Sequence, residues 1–216
     1  MNTRTAIILC ILLTVALGIY NAWLYPGLPE TIPTHWGISG KPDGWGSKSI
    51  ALLMMPGAMV ILTGLFLLLP WLSPKNFKID SFRGTYNYIF VLVVALMGYI
   101  GLMMVLAVTH PEINGVKPMI GGILIFIGLM GNLMGKVQRN FYVGIRTPWT
   151  LASDKVWVAT HRLGARLMFG SGILGALLIF LGVPIMPVFL VFLVACLYPV
   201  LYSFVLYKKL ERSGAV

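Results

Sequence analysis

Residues 167–207 read LMFGSGILGALLIFLGVPIMPVFLVFLVACLYPVLYSFVLY, and none of these 41 residues is charged. Two apolar runs, at 167–183 and 188–207, lie on either side of a tight, proline-bounded turn at 184–187. An apolar run of about 20 residues is long enough to cross the roughly 30 Å hydrocarbon core of a bilayer as an α-helix. The stretch therefore predicts two membrane-spanning helices joined as an antiparallel hairpin.

Four further apolar runs precede this hairpin, at residues 6–25, 50–72, 88–108 and 118–135. None of the six runs contains an aspartate, glutamate, lysine, arginine or histidine. The whole chain is 58% hydrophobic and 10% charged, whereas soluble domains carry about 25% charged residues. We predict an all-α membrane protein, a six-helix transmembrane bundle that forms a single integral-membrane domain over residues 1–216.

Lysines and arginines are distributed unevenly among the segments that join the runs. Thirteen of the 16 lie at the amino terminus, in segments 73–87 and 136–166, or in the carboxy-terminal tail. Loops rich in these residues stay in the cytoplasm, so we expect both termini inside and segments 26–49 and 109–117 outside. The net charge of +10 then reflects topology and attraction to anionic lipid headgroups, and it requires no direct binding of nucleic acid.

The outer segment 26–49 contains five glycines and four prolines, a composition that disfavours helix and favours successive turns. We expect a short extended piece at 34–37 and a tight turn at 41–44. Trp36 and Trp45 suit the headgroup layer of the membrane. The segment is therefore predicted to form an ordered cap on the outer mouth of the bundle.

A zinc site at this outer face stays open as an alternative. His35, Asp43 and Glu30 lie on the same predicted side as His110 and Glu112, and zinc binds imidazole and carboxylate ligands. No HExxH or CxxC spacing is present, however, and such tight spacing is the usual signature of a zinc site. We therefore predict no metal and no cofactor, and assign these side chains to turns or to the solvated surface.

The inner segment 136–166 crowds aromatic, basic and acidic residues together. Pro148 favours an extended conformation at Thr147, after which Thr150 or Ser153 would cap an amphipathic helix that runs to residue 163. A plain connection between two membrane helices needs none of this chemistry, so the segment invites a functional explanation.

Asp154, Trp157 and His161 are spaced three and four residues apart, so they share one face of that helix. It would lie on the inner leaflet with Trp149 and Trp157 as anchors, or form a docking surface for a soluble partner. A catalytic Asp154–His161 pair is the third interpretation, although no serine or cysteine nucleophile motif lies nearby. We expect Trp157 mainly to anchor the segment, and Arg146 and His161 to be polar groups at the membrane surface.

Small residues four apart mark helix faces that approach a neighbour closely. Such pairs in the fourth and fifth spans are Gly131/Gly135, Ser171/Gly175 and Gly172/Ala176. They would serve packing within one chain or, alternatively, a homodimer. Pro56 and Pro199 fall inside the second and sixth spans, where they predict kinks.

Two stretches of this sequence resemble a known family. Residues 131–164, GNLMGKVQRNFYVGIRTPWTLASDKVWVATHRLG, are similar to the signature of the SdpI family, multi-spanning immunity proteins against the sporulation-delaying toxin peptide. Residues 28–48, LPETIPTHWGISGKPDGWGSK, resemble the small domain of unknown function that heads many of these proteins. The two stretches make up about a quarter of the chain, and the six-span plan is also that of the family.

The resemblance implies a bacterial plasma-membrane protein without enzyme activity that protects its cell against a secreted, membrane-active toxin peptide. It also implies a receptor that signals by holding a soluble transcriptional repressor at the membrane. The candidate partner-binding residues of the inner segment are Asn140, Gly144, Arg146, Thr147, Pro148, Trp149, Thr150, Trp157, Thr160, His161 and Arg162. Those of the outer segment are Pro33, His35, Trp36, Gly40, Pro42, Asp43 and Trp45.

Two other classes of function remain as alternatives. A transporter or flippase for a small amphipathic substrate would fit the bundle, but the spans lack the ionisable residues that proton coupling usually needs. An intramembrane metal-dependent enzyme would have to use His35 with Asp43 outside, or Asp154 with His161 inside.

Overall fold

The computed structural model of the chain describes residues 1–37, 41–77, 79–110 and 115–215, so that Gly40, Lys78 and Glu112 lie outside the described residues. The helices and strands are, in chain order, α1 (Thr3–Leu24), β1 (Thr31–Trp36), β2 (Pro42–Ser47), α2 (Lys48–Leu72), α3 (Arg83–Thr109), α4 (Val116–Met134), α5 (Pro148–Ala152), α6 (Asp154–Phe180) and α7 (Ile185–Arg212). Within the described ranges, six helices are long and apolar enough to cross a membrane. The predicted six-helix bundle is thereby confirmed.

The helix predicted in the inner segment is present, but it runs without a break into the fifth span. The helix that contains this span therefore begins at Asp154 and not at residue 167. No proline interrupts residues 154–180, so the backbone hydrogen bonds of an α-helix continue throughout. Gly164 stays inside the helix, where the absence of a side chain makes room for Ile145 and Pro199. The expectation of a separate helix lying on the inner leaflet is therefore wrong.

The bundle consists of two groups of three helices. In the first group α1, α2 and α3 pack on one another, and in the second α6 packs between α4 and α7. Contacts between α3 and α4 join the groups. Each group has its own apolar core, centred on Met59 and Phe90 in the first and on Leu124 and Ile179 in the second.

Glycines set the close approach of α4 and α6. A Cβ atom on Gly172 would lie 2.6 Å from the carbonyl oxygen of Leu124, and one on Gly131 would lie 2.6 Å from Cβ of Met168. Gly135, predicted as the partner of Gly131, would have no such neighbour closer than 3.8 Å. Small residues here let two helices of the same chain approach at backbone distance.

Two prolines in α2 leave carbonyl groups without their helical partner, because proline has no N–H to donate to the residue four positions earlier. Asn21 of α1 donates to the freed carbonyl of Leu52, four residues before Pro56, at 2.7 Å. The hydroxyl of Tyr86 on α3 donates in the same way to the carbonyl four residues before Pro70, at 2.6 Å. Side chains of the neighbouring helices thus supply the hydrogen bonds that both carbonyl groups would otherwise lack inside the membrane.

Replacing Tyr86 by phenylalanine should lower the stability of the bundle by about 1 kcal/mol, the usual size of an interhelical hydrogen bond in a membrane. The matched control is Tyr88→Phe, which alters a half-exposed tyrosine on the same helix. Thermal unfolding of the purified protein in detergent measures the difference. Equal melting temperatures for the two variants would show that the Tyr86 bond contributes nothing.

The outer segment forms a two-stranded antiparallel sheet, a β-hairpin that the sequence did not predict. Pro33 pairs with Trp45, and irregularities in the register follow Pro33 and His35. The predicted tight turn at 41–44 is wrong, because residues 42–44 belong to β2. Ile32 is fully buried and packs with residues of α2 and α3, so the hairpin is fixed by contacts that its own local sequence does not encode.

Opposite ends of the bundle carry different loops. The side chain of Asn87, near the start of α3, donates to the backbone of Met1 at 3.1 Å, so α1 and α3 both begin at one end. The hydroxyl of Tyr142 donates to Leu72, the last residue of α2, at 3.0 Å, which places the segment between α4 and α6 at that same end. We call this the basic end, and the β-hairpin lies at the other.

Candidate functional site

The segment 135–153, here called the signature loop, folds back on the first turns of α6. Asn140 is fully buried at its centre. Its Oδ1 accepts from the backbone N–H groups of Tyr142 and Val143, both at 2.7 Å, and its Nδ2 donates to the carbonyls of Gln138 and Val143 at 2.8 and 2.9 Å. Every polar atom of the side chain serves the loop, so Asn140 shapes it from within.

Gly144 allows the loop to meet His161 of α6. Its φ of 116° lies in the region that favours glycine, and a Cβ atom there would lie only 2.3 Å from Nε2 of His161. The next residue, Ile145, donates its backbone N–H to this same Nε2 at 2.9 Å. The Nδ1 atom of His161 lies 2.8 Å from the carbonyl oxygen of Trp157. This arrangement requires a neutral imidazole that donates from Nδ1 and accepts at Nε2.

Trp157 forms the wall between the loop and the bundle. It is 1% exposed, its ring stacks on that of His161 with centroids 4.0 Å apart, and its Nε1 donates to the carbonyl of Val137 at 2.7 Å. The expectations for this pair need correction. Trp157 anchors the loop to α6 and does not anchor a surface helix to lipid, and His161 is buried and not a polar group at the surface.

A capping box starts the short helix α5. Thr147 caps it, with its hydroxyl accepting from the N–H of Thr150 at 3.1 Å, while the hydroxyl of Thr150 accepts from the N–H of Thr147 at 2.9 Å. Of the two predicted caps, Ser153 does occupy the N-cap position of α6, although its side chain makes no capping hydrogen bond, and the prediction for Thr150 is wrong because its hydroxyl belongs to the box that starts α5. The hydroxyls of Thr147 and Ser203 lie 3.1 Å apart, which ties the loop to α7.

Arg139 closes the other side of the loop. Its guanidinium pairs with the carboxylate of Asp154, with Nε 2.8 Å from Oδ1, and donates to the carbonyl of Leu151 at 2.7 Å. It also lies over the ring of Phe77, 5.4 Å from the centroid. The sequence did not single out Arg139 or Ser203, because nothing in their local pattern shows which carbonyl or hydroxyl they meet.

The eleven inner candidates divide into a buried set and an accessible set. The buried side chains are Asn140, Thr147, Thr150, Trp157, Thr160 and His161. The exposed side chains are Arg146, Pro148 and Arg162, and Gly144 and Trp149 are half-buried. Arg146 donates to the carbonyl of Phe141, which holds its stem against the loop. Only the accessible set offers a surface to another molecule.

The catalytic interpretation of Asp154 and His161 lacks a geometric basis. The carboxylate of Asp154 pairs with Arg139, and both ring nitrogens of His161 engage backbone groups. A general base needs a free lone pair within reach of its substrate. The two side chains therefore hold the loop in place.

The β-hairpin brings together the outer candidates that the structure describes, a set that leaves out Gly40. Nδ1 of His35 on β1 and Oδ1 of Asp43 on β2 are joined by a hydrogen bond. Both side chains are largely exposed, and Trp45, two residues after Asp43 on β2, is 60% exposed. Pro33 and Trp36 on β1 pair in register with Trp45 and Pro42 on β2. Among the residues that the structure describes, no three His, Cys, Asp or Glu side chains are close enough to hold a metal ion.

A buried lysine, which the sequence did not single out, fastens the hairpin to the bundle. The ammonium group of Lys48 donates to the carbonyl of Leu28 at 3.0 Å, pairs with Glu30 at 3.1 Å and lies 4.6 Å from the centroid of the Tyr25 ring. Its side chain is 8% exposed, so these contacts compensate the cost of burying its charge. The hairpin is therefore attached to the bundle by the apolar contacts of Ile32 and by the polar contacts of Lys48.

Comparison with known proteins gives one family match to the region of the signature loop and another to the region of the β-hairpin. Residues 136–203 match the model of the SdpI/YfhL protein family, and residues 11–60 match a domain of unknown function, DUF1648. The chain is 30% identical to the immunity protein SdpI of Bacillus subtilis (strain 168), over 88% of this chain and 90% of that protein. It is 32% identical to an uncharacterized protein of Archaeoglobus fulgidus, over 58% of this chain and 81% of that protein. No solved structure matches the chain.

Proposed function

Because this chain belongs to the SdpI/YfhL protein family, we propose that it is a membrane immunity protein that protects its cell against a secreted, membrane-active toxin peptide. The observation that carries this proposal is the extent of the similarity. The likeness to an immunity protein covers 90% of that protein. The two family matches, at residues 11–60 and 136–203, contain the hairpin and almost all of the signature loop, so the similarity is more than the apolar character that any two membrane proteins share.

The exposed face of the β-hairpin is the proposed contact for the toxin. Trp45 offers apolar area to an amphipathic peptide, and the exposed, hydrogen-bonded His35 and Asp43 offer polar groups on the same hairpin. In the proposed orientation, with the basic end in the cytoplasm of a bacterial plasma membrane, this face meets the toxin from outside.

The accessible residues within the signature loop, Gly144, Arg146, Pro148 and Trp149, are the proposed docking surface for a soluble repressor. Arg146 is exposed while its backbone neighbours are fixed by the buried core of the loop. A rigid support of this kind lowers the entropy that an interface loses on binding. Toxin bound at the hairpin end would signal through the bundle to this surface.

Arg146→Ala should separate signalling from folding. The side chain makes one surface bond, to a carbonyl, so its loss should cost about 1 kcal/mol of stability or less. In a docking site the same loss should weaken repressor binding about tenfold or more. We expect normal accumulation in the membrane together with reduced membrane recruitment of the repressor, measured by fractionation after toxin exposure. Unchanged recruitment would exclude Arg146 from the docking surface.

The immunity proposal is tested by survival. A strain sensitive to the sporulation-delaying toxin peptide is given the wild-type chain, an empty vector or an unrelated six-span protein, and is then exposed to that peptide and to the peptides secreted by the source organism. Survival with the wild-type chain alone supports the proposal. Equal killing of all three strains by every peptide would contradict it.

A further inference from the structure

A groove of about 660 Å³ opens at the basic end, beside the signature loop. It is bounded by the turn after α2, by the end of α4 with the residues that follow it, and by the first turns of α6. Its lining includes Lys75, Lys136, Arg139, Asp154, Trp157 and Arg162. The volume lies within the roughly 300–1,000 Å³ that is usual for small-ligand sites.

The charges in this groove are not balanced. Arg139 is neutralised by its ion pair with Asp154. Lys75, Lys136 and Arg162 are exposed, and within the described ranges none of the three pairs with a carboxylate. Three unpaired cations around one concave surface create a positive potential that attracts an anion.

The cations also lie at the depth of lipid headgroups. Arg162 precedes the end of α6 at Phe180 by 18 residues, which corresponds to about 27 Å of helix and nearly equals the thickness of the hydrocarbon core. Lys136 follows the end of α4 at Met134 by two positions. Both side chains therefore reach the layer in which lipid phosphates lie.

We propose that this groove is a binding site for an anionic phospholipid, with Lys136 and Arg162 contacting its headgroup phosphate and Lys75, which also lines the groove, adding a third positive charge. Arginine and lysine are the residues that bind phosphate oxygens in proteins. Val158, which is 42% exposed and lines the groove, provides an apolar wall for the glycerol and upper acyl groups. An acidic protein segment could bind the cations without an apolar wall and without a site at the depth of the lipid headgroups, so these two features favour a lipid.

The test compares lipid binding by two matched pairs of substitutions in the full-length protein. Lys136→Gln with Arg162→Gln removes two charges from the groove. Lys209→Gln with Arg212→Gln removes the same two residue types from the end of α7, where both are exposed and lie outside the groove. Purified proteins are titrated in neutral detergent with phosphatidylglycerol or with phosphatidylcholine of identical acyl chains, and bound lipid is counted by native mass spectrometry.

Wild-type protein and the Lys209/Arg212 variant should prefer phosphatidylglycerol on the order of tenfold, and the Lys136/Arg162 variant should lose most of that preference. Lys75→Gln alone should reduce it partially and serves as the second variant if the double substitution fails to fold. Retention of the preference in the groove variants would overturn the proposal. Equal loss of the phosphatidylglycerol preference in both double variants would overturn it as well. So would a competition titration in which an acidic peptide binds the wild-type protein and phosphatidylglycerol does not displace it.

Discussion

Replacing Gly144 by alanine should remove most of the folded, membrane-embedded protein. The backbone of Gly144 has a φ of 116°, a conformation that costs a residue with a side chain about 1–3 kcal/mol. The new Cβ atom would also lie 2.3 Å from Nε2 of His161. Relief of that contact separates His161 from the N–H of Ile145 and leaves a buried polar group unpaired, at a further cost of about 1–3 kcal/mol.

Gly182→Ala is the control for this prediction, because Gly182 has a φ of 94° but no neighbour within 4 Å of its Cβ position. It retains the backbone strain and lacks the contact with His161. Membrane fractions quantified by blotting, and melting temperatures of whatever protein is recovered, should rank wild type above Gly182→Ala and Gly182→Ala well above Gly144→Ala. Equal yields and melting temperatures for the two variants would show that the loop does not depend on the Gly144–His161 contact.

Gly172→Ala should be the second most damaging small substitution. Its Cβ atom would lie 2.6 Å from a backbone carbonyl oxygen of α4 and 2.9 Å from Cα of Gly128. Backbone atoms of a packed helix cannot move aside as a side chain can, so α4 and α6 must separate. Overpacking of this kind costs about 1–3 kcal/mol, and here it would also disturb the helix that supports the signature loop.

Gly170→Ala provides the matched control, since it lies on the same helix with nothing within 4 Å of its Cβ position. Alanine favours helix over glycine by about 1 kcal/mol, so this variant should melt at or above the wild-type temperature. Gly172→Ala should melt well below it. If Gly172→Ala is as stable as Gly170→Ala, the close crossing of α4 and α6 is not what holds them together.

The sequence predicted the spans because their signal is local. A run of apolar residues whose helical length matches the thickness of a bilayer rarely forms anything but a membrane-spanning helix. The turn that joins α6 and α7 also lies near its predicted place. The β-hairpin was missed because its strands are rich in glycine and proline. Their pairing depends on the burial of Ile32 against α2 and α3 and on the buried Lys48, which are long-range contacts.

The surroundings of His161 could not be predicted for a related reason. The spacing of Asp154, Trp157 and His161 showed that they share a helix face, but not what covers that face. The cover is the signature loop, which returns to α6 only because Asn140 bonds four backbone groups and Gly144 adopts a positive φ. The pattern of Thr147 and Thr150 around Pro148 was the one local signal for the capping box that starts α5.

The proposed immunity function protects the membrane itself from a toxin peptide, so the membrane potential of exposed cells reports on it. Cells of a toxin-sensitive strain, with and without the wild-type chain at equal growth, are loaded with a potential-sensitive dye and exposed to the peptide that distinguishes them in the survival assay. We expect cells that carry the chain to keep their membrane potential while cells without it depolarise within the same minutes. Depolarisation of both strains at the same rate and to the same extent would contradict it.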